Sequence, residues 1–320
     1  MKNYNNIIIF LDSTHEYLPN QFINNGYQVI HHYDLPEKLN DDIRTNVIGL
    51  VVRSRVVLDK KNIDLFPLLR FIARAGSGME NIDTNYANSK GIICINSPEG
   101  NRIAVAEHAI GMLLSLMNNI LKAHLEIHNG LWKREANRGY ELDGKTFGII
   151  GYGNVGSAVA ERLQGFNMQV IAYDKYKHGF SSDLVEEVSL NELLSRSDVV
   201  SMHVPLTSET TYMVNEDFFD NLAKPIWFIN TSRGQVLETN SLLNAIAKGK
   251  VLGACLDVLE YEDYSFENIE STLANPNETL KQVLANHRII LTPHIAGWTF
   301  ESNRKHAEIL WQKLIKNNLV

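Results

Sequence analysis

Short, unbroken apolar segments recur along the first part of the chain, and polar segments of helical length separate them. A strand that is apolar throughout is typical of a parallel sheet covered on both faces, because neither of its faces meets water. Five such segments precede residue 100, at 7–11, 28–30, 47–52, 70–74 and 92–96. This alternation predicts an α/β domain built on a parallel sheet.

A second alternating series begins at residue 147. Its apolar segments are 147–151, 168–174, 198–204, 225–232, 252–259 and 288–294. The segments 156–163, 215–222, 239–250 and 300–317 have helical character, and Ser189 with Glu192 forms a capping-box pattern that begins another helix. We therefore predict two Rossmann-like, doubly wound parallel-sheet domains of the α/β class.

A long stretch between the two series, from residue 101 to about 129, has helical periodicity. The apolar positions that repeat with this period are Ile103, Ala106, Ile110, Leu113, Leu114, Met117 and Leu121. The segment 129–132, Asn-Gly-Leu-Trp, ends the pattern. The sequence thus predicts one continuous helix here.

The second series contains the glycine pattern Gly151, Gly153 and Gly156, which follows an apolar strand and begins a helix. Such glycines permit a tight turn and let backbone N–H groups approach a pyrophosphate at the helix N-terminus. Asp174 ends the next strand, where a carboxylate can bind both ribose hydroxyls of NAD and repel the 2′-phosphate of NADP. The pattern predicts NAD as the cofactor, and Lys175 leaves the use of both cofactors open.

Polar residues that suit hydride transfer to a 2-keto acid follow the later strands. Arg233 could hold a carboxylate, and His294 could donate a proton to the developing alkoxide. A carboxylate should orient that histidine, and the residues alone leave Glu260, Glu262 and Asp263 as alternatives. Each of these residues could equally be an ordinary surface or turn residue.

Composition narrows the class of protein. The chain has 320 residues, 44% of them hydrophobic, and a net charge of −7, which disfavours general binding to nucleic acids or anionic membranes. Its two cysteines, Cys94 and Cys255, have apolar neighbours and are interpreted as reduced core thiols. The longest apolar helical stretch, 109–116, is too short to span a membrane. We expect a cytoplasmic protein with neither a secretory signal nor a metal site.

Nine segments resemble one enzyme family in the family's order and cover nearly the whole chain. They are 52–57, 74–83, 91–101, 104–116, 151–156, 203–210, 230–237, 253–258 and 292–297. The chain resembles the NAD-dependent D-2-hydroxyacid dehydrogenases, close to the D-3-phosphoglycerate dehydrogenase branch. The resemblance implies a homodimer that uses NAD to interconvert a small 2-keto acid and its 2-hydroxy acid.

The resemblance implies Arg233, Glu262 and His294 as catalytic residues, with Glu262 selected by its spacing from Asp257. It also implies contacts between Asp257 and the nicotinamide carboxamide and between the cofactor and Arg233 and His294. Further cofactor positions implied by the matching segments are Ser77, Asn154, Val155, Val204, Thr231, Ser232 and Gly297. Two features depart from the family: Asp263 stands where proline is usual, and the connection through 264–287 is longer.

The resemblance also implies a discontinuous substrate domain, 1–100 with 297–320, into which a nucleotide domain, 101–296, is inserted. The dimerisation arm is expected near 101–140, and no regulatory domain is expected after Val320. The substrate-binding residues are expected to be Arg53, Ser54, Arg55, Ala75, Gly76 and Ser77, together with Arg233 and His294. Trp298 either forms a wall of the pocket or only packs.

The substrate expected from this branch is D-3-phosphoglycerate or 3-phosphohydroxypyruvate, because two arginines near a strand end suit a phosphate. A glyoxylate or hydroxypyruvate reductase and a D-lactate-type dehydrogenase remain alternatives. A non-catalytic NAD-sensing corepressor on the same fold is an alternative of another class, which the intact Arg–Glu–His set disfavours.

Overall fold

The computed structural model describes residues 6–262 and 270–320. In this part of the chain the strands are β1 (Ile7–Phe10), β2 (Gln28–His31), β3 (Val47–Val52), β4 (Phe71–Arg74), β5 (Ile93–Asn96), β6 (Thr146–Ile150), β7 (Gln169–Tyr173), β8 (Glu186–Glu187), β9 (Val199–Met202), β10 (Ile226–Asn230), β11 (Val251–Leu256) and β12 (Ile289–Leu291).

The helices in the same ranges are α1 (Tyr17–Asn24), α2 (Asp41–Arg44), α3 (Lys60–Ile63), α4 (Thr84–Ser89), α5 (Arg102–Met117), α6 (Ile120–His128), α7 (Asn154–Leu163), α8 (Leu190–Arg196), α9 (Glu216–Asp220), α10 (Thr239–Ala247), α11 (Glu270–Ala274), α12 (Glu278–Ala285) and α13 (Phe300–Lys316). Short 3₁₀ turns occupy Pro36–Lys38, Glu135–Asn137, Gln164–Phe166 and Gly234–Val236. The predicted capping box is present at the start of α8, where the Ser189 hydroxyl accepts from the Glu192 N–H.

The described residues form two compact units. The first consists of residues 6–101 and Trp298–Val320. Its five parallel strands lie in the order β2-β1-β3-β4-β5, and every residue of β1 and β3 is buried, as their unbroken apolar sequences require. The C-terminal helix α13 packs against α1, where the rings of Phe22 and Trp311 meet edge to face at 5.3 Å.

The second unit consists of Arg102–Glu262 and 270–297. Its seven parallel strands lie in the order β12-β11-β10-β9-β6-β7-β8, so the direction of the strand order reverses between β6 and β9. Ile150 pairs with both Tyr173 and Met202, and Asn230 pairs with both Met202 and Leu256, so the carboxyl ends of five strands align. Ligands of doubly wound sheets bind at this edge. The predicted α/β class with parallel sheets is confirmed.

The prediction of one helix from residue 101 to 129 is wrong. Helix α5 ends at Met117, α6 begins at Ile120, and the two are bent by 60°. Asn119 between them has a φ of 54°, in the left-handed region that asparagine tolerates better than most residues. The apolar pattern continues into α6 although no residue of α6 is buried, and the backbone at Asn118 and Asn119 interrupts the helix.

No single helix in the described ranges is long and apolar enough to cross a membrane, although the bent pair α5 and α6 meets that criterion by length and composition. Both cysteines are free thiols, as predicted. Cys255 is fully buried, and burial raises the pKa of its thiol. Cys94 is only partly buried, contrary to the prediction, because it lies on the edge strand β5; partial burial raises the pKa of its thiol to about 11.

Candidate active site

Gly151 and Gly153 lie between β6 and α7, Gly156 lies in the first turn of α7, and the three differ in the space that a side chain would find. Gly151 has a φ of +94°, and a Cβ there would lie 2.5 Å from the His203 carbonyl oxygen. A Cβ on Gly156 would lie 2.2 Å from the Gly151 carbonyl oxygen. A Cβ on Gly153 would meet no described atom within 4 Å, so the turn is open there. Gly151 and Gly156 permit close backbone packing, and Gly153 leaves room for a ligand.

Helix α7 begins beside this opening. Gly153 is its N-cap and provides no side-chain cap, and Asn154 and Val155 are the first helical residues. The first N–H groups of a helix have no partner within the helix, and the helix dipole favours an anion there. Val204 lines the other side of the turn, since its Cγ1 is 3.1 Å from the position of a Cβ on Gly151. This arrangement fits a pyrophosphate.

Asp174 follows β7, and backbone N–H groups hold its carboxylate. Oδ2 accepts from the Tyr152 N–H at 2.8 Å, and Oδ1 accepts from the Tyr176 and Lys177 N–H groups at 2.9 and 3.0 Å. A carboxylate has further acceptor capacity after three such bonds, so ribose hydroxyls can still bind. The adjacent Lys175 forms an ion pair with Glu209 at 2.7 Å.

Arg233 lies in the turn after β10. Its Nη1 donates to the Ser232 carbonyl at 2.7 Å, and the buried Asn230 side chain donates to the Arg233 carbonyl at 2.9 Å. Asn230 Oδ1 also accepts from the Ser232 hydroxyl at 2.8 Å, so one amide fixes the whole turn. The buried Thr231 hydroxyl has no hydrogen-bond partner among the described residues. A polar ligand group would satisfy it, as expected beside a bound cofactor.

The turn carrying Arg233 packs directly against the segment that carries the predicted acids. A Cβ on Gly234 would lie 1.9 Å from the Leu259 carbonyl oxygen and 2.7 Å from the Glu260 nitrogen. Only glycine therefore allows this approach of two backbone segments.

The structure brings His294 and Glu262 together. His294 Nδ1 is 2.7 Å from Glu262 Oε2, and Glu262 Oε1 accepts from the Leu259 N–H at 2.7 Å. The side chains are 23% and 11% exposed, so the pair is partly shielded from water. With Nδ1 on the carboxylate, Nε2 is the ring nitrogen that can exchange a proton with a ligand.

Of the other two predicted acids, Glu260 has a different hydrogen-bond partner from Glu262. Glu260 accepts from the Thr239 N–H at 3.0 Å, at the first residue of α10. A carboxylate at a helix N-terminus stabilises the helix, so Glu260 has a structural contact of its own. Asp263 lies outside the described residues.

Asp257 follows β11 and is only 1% exposed. Its two carboxylate oxygens accept from the Ile295 and Ala296 N–H groups, both at 2.8 Å. Its backbone carbonyl accepts from the His294 N–H at 2.8 Å. Asp257 thus holds the turn after β12 that contains His294 and ends at Gly297.

Two side chains that the sequence did not single out complete this cluster. The Thr292 hydroxyl lies 2.6 Å from Asp257 Oδ1, and His108 Nε2 on α5 lies 3.0 Å from the same hydroxyl. The available signal for Thr292 was its position directly after an apolar strand, which it shares with Asp174 and Asp257. His108 gave no such signal, because it sits within a helix.

In the first unit, Arg53, Ser54 and Arg55 line a pocket of about 380 Å³. The remaining lining residues are Asp12, Ser13, Tyr33 and Trp298. Arg55 pairs with Asp12 at 3.0 Å and donates to the Leu11 carbonyl, while the Arg53 guanidinium lies 4.1 Å from the centre of the Trp298 ring. Trp298 therefore forms a wall of this pocket.

The segment Ala75, Gly76 and Ser77 follows β4 in the same unit. The Ser77 hydroxyl donates to Asn101 Oδ1 at 2.8 Å, and its carbonyl accepts from the Asn96 side chain at 2.6 Å. A Cβ on Gly76 would lie 1.7 Å from Arg74 Nη1, so the arginine occupies the space that a side chain would need. These contacts hold the segment in one conformation.

The parallel sheet, the open glycine turn at its switch point and the histidine–carboxylate pair are typical of nucleotide-dependent dehydrogenases. The sequence profile of the D-isomer specific 2-hydroxyacid dehydrogenase, NAD binding domain, matches residues 110–296. The chain belongs to this family. It is an NAD-dependent oxidoreductase that acts on the CH–OH group of 2-hydroxy acids.

Curated relatives and solved structures agree with this assignment. A hydroxypyruvate reductase of Thermotoga maritima is 37% identical over 83% of this chain and 83% of its own length. A D-3-phosphoglycerate dehydrogenase of Archaeoglobus fulgidus is 36% identical over 83% of this chain, which spans about half (49%) of that protein. The crystal structure of D-lactate dehydrogenase from Aquifex aeolicus with NAD and lactic acid is 28% identical, covers 98% of this chain and 96% of its own, and has a TM-score of 0.81.

Proposed function

We propose that the protein interconverts a small 2-keto acid and its D-2-hydroxy acid, with Arg233, Glu262 and His294 as the catalytic residues. The contact of 2.7 Å between His294 Nδ1 and Glu262 Oε2 carries this proposal. An imidazole oriented by a carboxylate is suited to general acid–base catalysis near neutral pH.

The roles of the three residues follow from their chemistry. In the reductive direction, His294 Nε2 donates a proton to the carbonyl oxygen of the substrate, and Glu262 keeps the other ring proton on Nδ1. The Arg233 guanidinium binds the substrate carboxylate and polarises the carbonyl. When bound, NADH supplies the hydride. In the oxidative direction, His294 Nε2 accepts the hydroxyl proton.

The cofactor contacts in the second unit are proposed from their place at the carboxyl edge of the sheet. They are Gly151, Gly153, Asn154, Val155, Gly156, Asp174, Val204, Thr231, Ser232, Asp257 and Gly297. The glycine turn and the start of α7 suit the pyrophosphate, and Asp174 suits the ribose hydroxyls of NAD. The ion pair of Lys175 with Glu209 supports a preference for NAD, since that lysine is already paired.

The proposed substrate is 3-phosphohydroxypyruvate, or D-3-phosphoglycerate in the oxidative direction. The pocket of the first unit supports this choice, because Arg53 and Arg55 outnumber its single carboxylate, Asp12. Hydroxypyruvate is the second candidate. The ion pair between Arg55 and Asp12 favours it, since this pair offsets one of the two guanidinium charges in the pocket.

A two-fold homodimer formed through residues 101–140 is part of the proposal. Helix α6 supports it, because its apolar side chains Ile120, Leu121 and Leu125 are 53%, 48% and 60% exposed. Contiguous exposed apolar side chains are typical of protein–protein interfaces.

The reaction is tested by following the oxidation of NADH with a panel of 2-keto acids, including phosphohydroxypyruvate, hydroxypyruvate, glyoxylate and pyruvate. His294→Ala should lower kcat about 10²-fold or more, the usual scale of acid–base catalysis. His178→Ala, which removes an exposed histidine paired with Glu187, is the control and should retain the wild-type rate. Near-normal turnover of His294→Ala would exclude the proposed role. A preference for the phosphorylated substrate that Arg53→Ala abolishes would favour phosphohydroxypyruvate over hydroxypyruvate.

A further inference from the structure

A chain of hydrogen bonds runs from α5 to the turn that carries His294. His108 Nε2 lies 3.0 Å from the Thr292 hydroxyl, which lies 2.6 Å from Asp257 Oδ1; the same Nε2 is also 3.6 Å from Asp257 Oδ1. A carboxylate only accepts, so the single hydroxyl proton of Thr292 goes to Asp257. The threonine oxygen must then accept from His108, which places a proton on His108 Nε2. The direction of each bond is thereby determined.

The turn at the far end of this series of hydrogen bonds has an unusual backbone conformation at His294. His294 has a φ of 54°, in the left-handed region that non-glycine residues seldom occupy. Such a conformation persists only where the surroundings impose it. Here Asp257 helps to impose it: its backbone carbonyl accepts from the His294 N–H at 2.8 Å, a donor shared with the Thr292 carbonyl at 3.0 Å, and its carboxylate accepts from the next two N–H groups.

We propose that His108 and Thr292 are positioning residues for the reaction. They orient the Asp257 carboxylate, and Asp257 in turn holds His294 in the conformation that presents Nδ1 to Glu262. This inference rests on the proposed function, because the position of His294 affects the rate only if His294 is a catalytic residue. Neither His108 nor Thr292 is proposed to touch the substrate.

Breaking this series of hydrogen bonds should affect the reaction because its last acceptor, the Asp257 carboxylate, is buried. Asp257 is 1% exposed, so water does not readily replace a donor that is removed from Oδ1. A buried carboxylate oxygen that loses a donor shifts toward another donor. A displacement of about 1 Å at a reacting group can lower the rate about 10²-fold. Thr292→Val and His108→Leu should therefore lower kcat more than they raise the KM for NADH.

Conservative variants separate positioning from simple packing. Thr292→Ser keeps the hydroxyl, and His108→Gln keeps a side-chain N–H donor near the place of Nε2. Ser197→Ala is a matched stability control, because it removes a buried hydroxyl that donates to the Leu193 carbonyl at 2.7 Å. Ser197 lies just before the amino end of β9, away from the carboxyl edge of the sheet. Ser197→Ala should lower the melting temperature without changing kcat.

The experiment measures kcat, the KM values, NADH binding by fluorescence and the melting temperature of each variant. The inference predicts that kcat falls about tenfold or more in Thr292→Val and His108→Leu, a scale within that of acid–base contributions. NADH binding should weaken by a smaller factor than kcat, since Asp257 is only one of the proposed cofactor contacts, and Thr292→Ser and His108→Gln should recover most of the rate. The double variant His108→Leu/Thr292→Val should lose less than the product of the two single losses, because both residues belong to one network around Asp257.

Wild-type kcat in His108→Leu would overturn the inference, even if Thr292→Val failed to fold. Equal losses in the conservative and the apolar variants would also overturn it, since the donors would then be irrelevant. His294→Ala, measured in parallel, separates the two proposals. An active His294→Ala removes the proposed function, whereas an inactive His294→Ala with normal His108→Leu removes only the positioning role.

Discussion

Replacing Gly234 by alanine adds one methyl group at the contact between the turn carrying Arg233 and the segment leading to Glu262. The new Cβ would lie 1.9 Å from the Leu259 carbonyl oxygen and 2.1 Å from the carbonyl carbon. Both opposing atoms belong to the backbone, so no side-chain rotation can relieve the clash. The two segments must move apart.

The size of that movement can be worked out from the contact. An ordinary contact begins at 3.4 Å, so the separation must grow by 3.4 − 1.9 = 1.5 Å. A misplacement of about 1 Å can lower a rate about 10²-fold, so kcat should fall by at least that factor. Overpacking of this kind typically destabilises a protein by about 1–3 kcal/mol, so the free energy of unfolding should fall only moderately.

The assay compares kcat, KM and the melting temperature of Gly234→Ala with those of the wild type. Gly165→Ala is the matched control, because a Cβ on Gly165 would meet no described atom within 4 Å. The control should retain both activity and stability. If Gly234→Ala kept wild-type kcat, the two segments would not need their present separation, and the argument from contact distance would be refuted.

The remaining predictions concern the cofactor and the response to acid. Asp174→Ala should weaken NADH binding and reduce the preference over NADPH, measured as the ratio of kcat/KM for the two cofactors; an unchanged ratio would contradict the role of Asp174. Burial lowers the pKa of His203 and of His306 to about 4. Below about pH 6.5 the unfolded chain therefore takes up protons that these two rings do not, so the free energy of unfolding should fall between about pH 6.5 and 4, by roughly 2 kcal/mol by pH 5 for the buried ring of His306. Denaturant titrations at both ends of this range should show a smaller loss for His306→Gln than for the wild type; equal losses would count against the burial argument.

Much of the fold was predictable because periodicity reports burial. Strand β3 was predicted with its observed bounds, since all of its residues are apolar and buried. The helix through residues 118 and 119 was not predicted correctly, because the same apolar period runs through a residue whose backbone turns left-handed. Cys94 was placed too deep for a related reason: an apolar strand sequence does not reveal that the strand lies at an edge.

The candidate site was predictable in its parts and not in its contacts. Residues alone left Glu260, Glu262 and Asp263 equivalent, because all three follow one strand in an acidic turn. The family resemblance selects Glu262 by its spacing from Asp257, and the folded chain shows Glu262 on His294 and Glu260 at the start of α10. The ion pair of Arg55 was not predictable either, since the sequence positions of Arg53 and Arg55 do not reveal that Arg55 pairs with Asp12.

The sequence by itself determined the alternation of strands and helices, the glycine turn, and the residue types that follow each strand of the second unit. These depend on local chemistry: apolar runs are buried, glycines permit turns, and polar residues end strands. Only the tertiary structure decided which of these residues meet, because contacts such as that of His108 with Thr292 join distant parts of the chain. The tertiary structure also decides that residue 234 must be glycine, since the backbone that a Cβ would meet there belongs to the segment of Leu259 and Glu260.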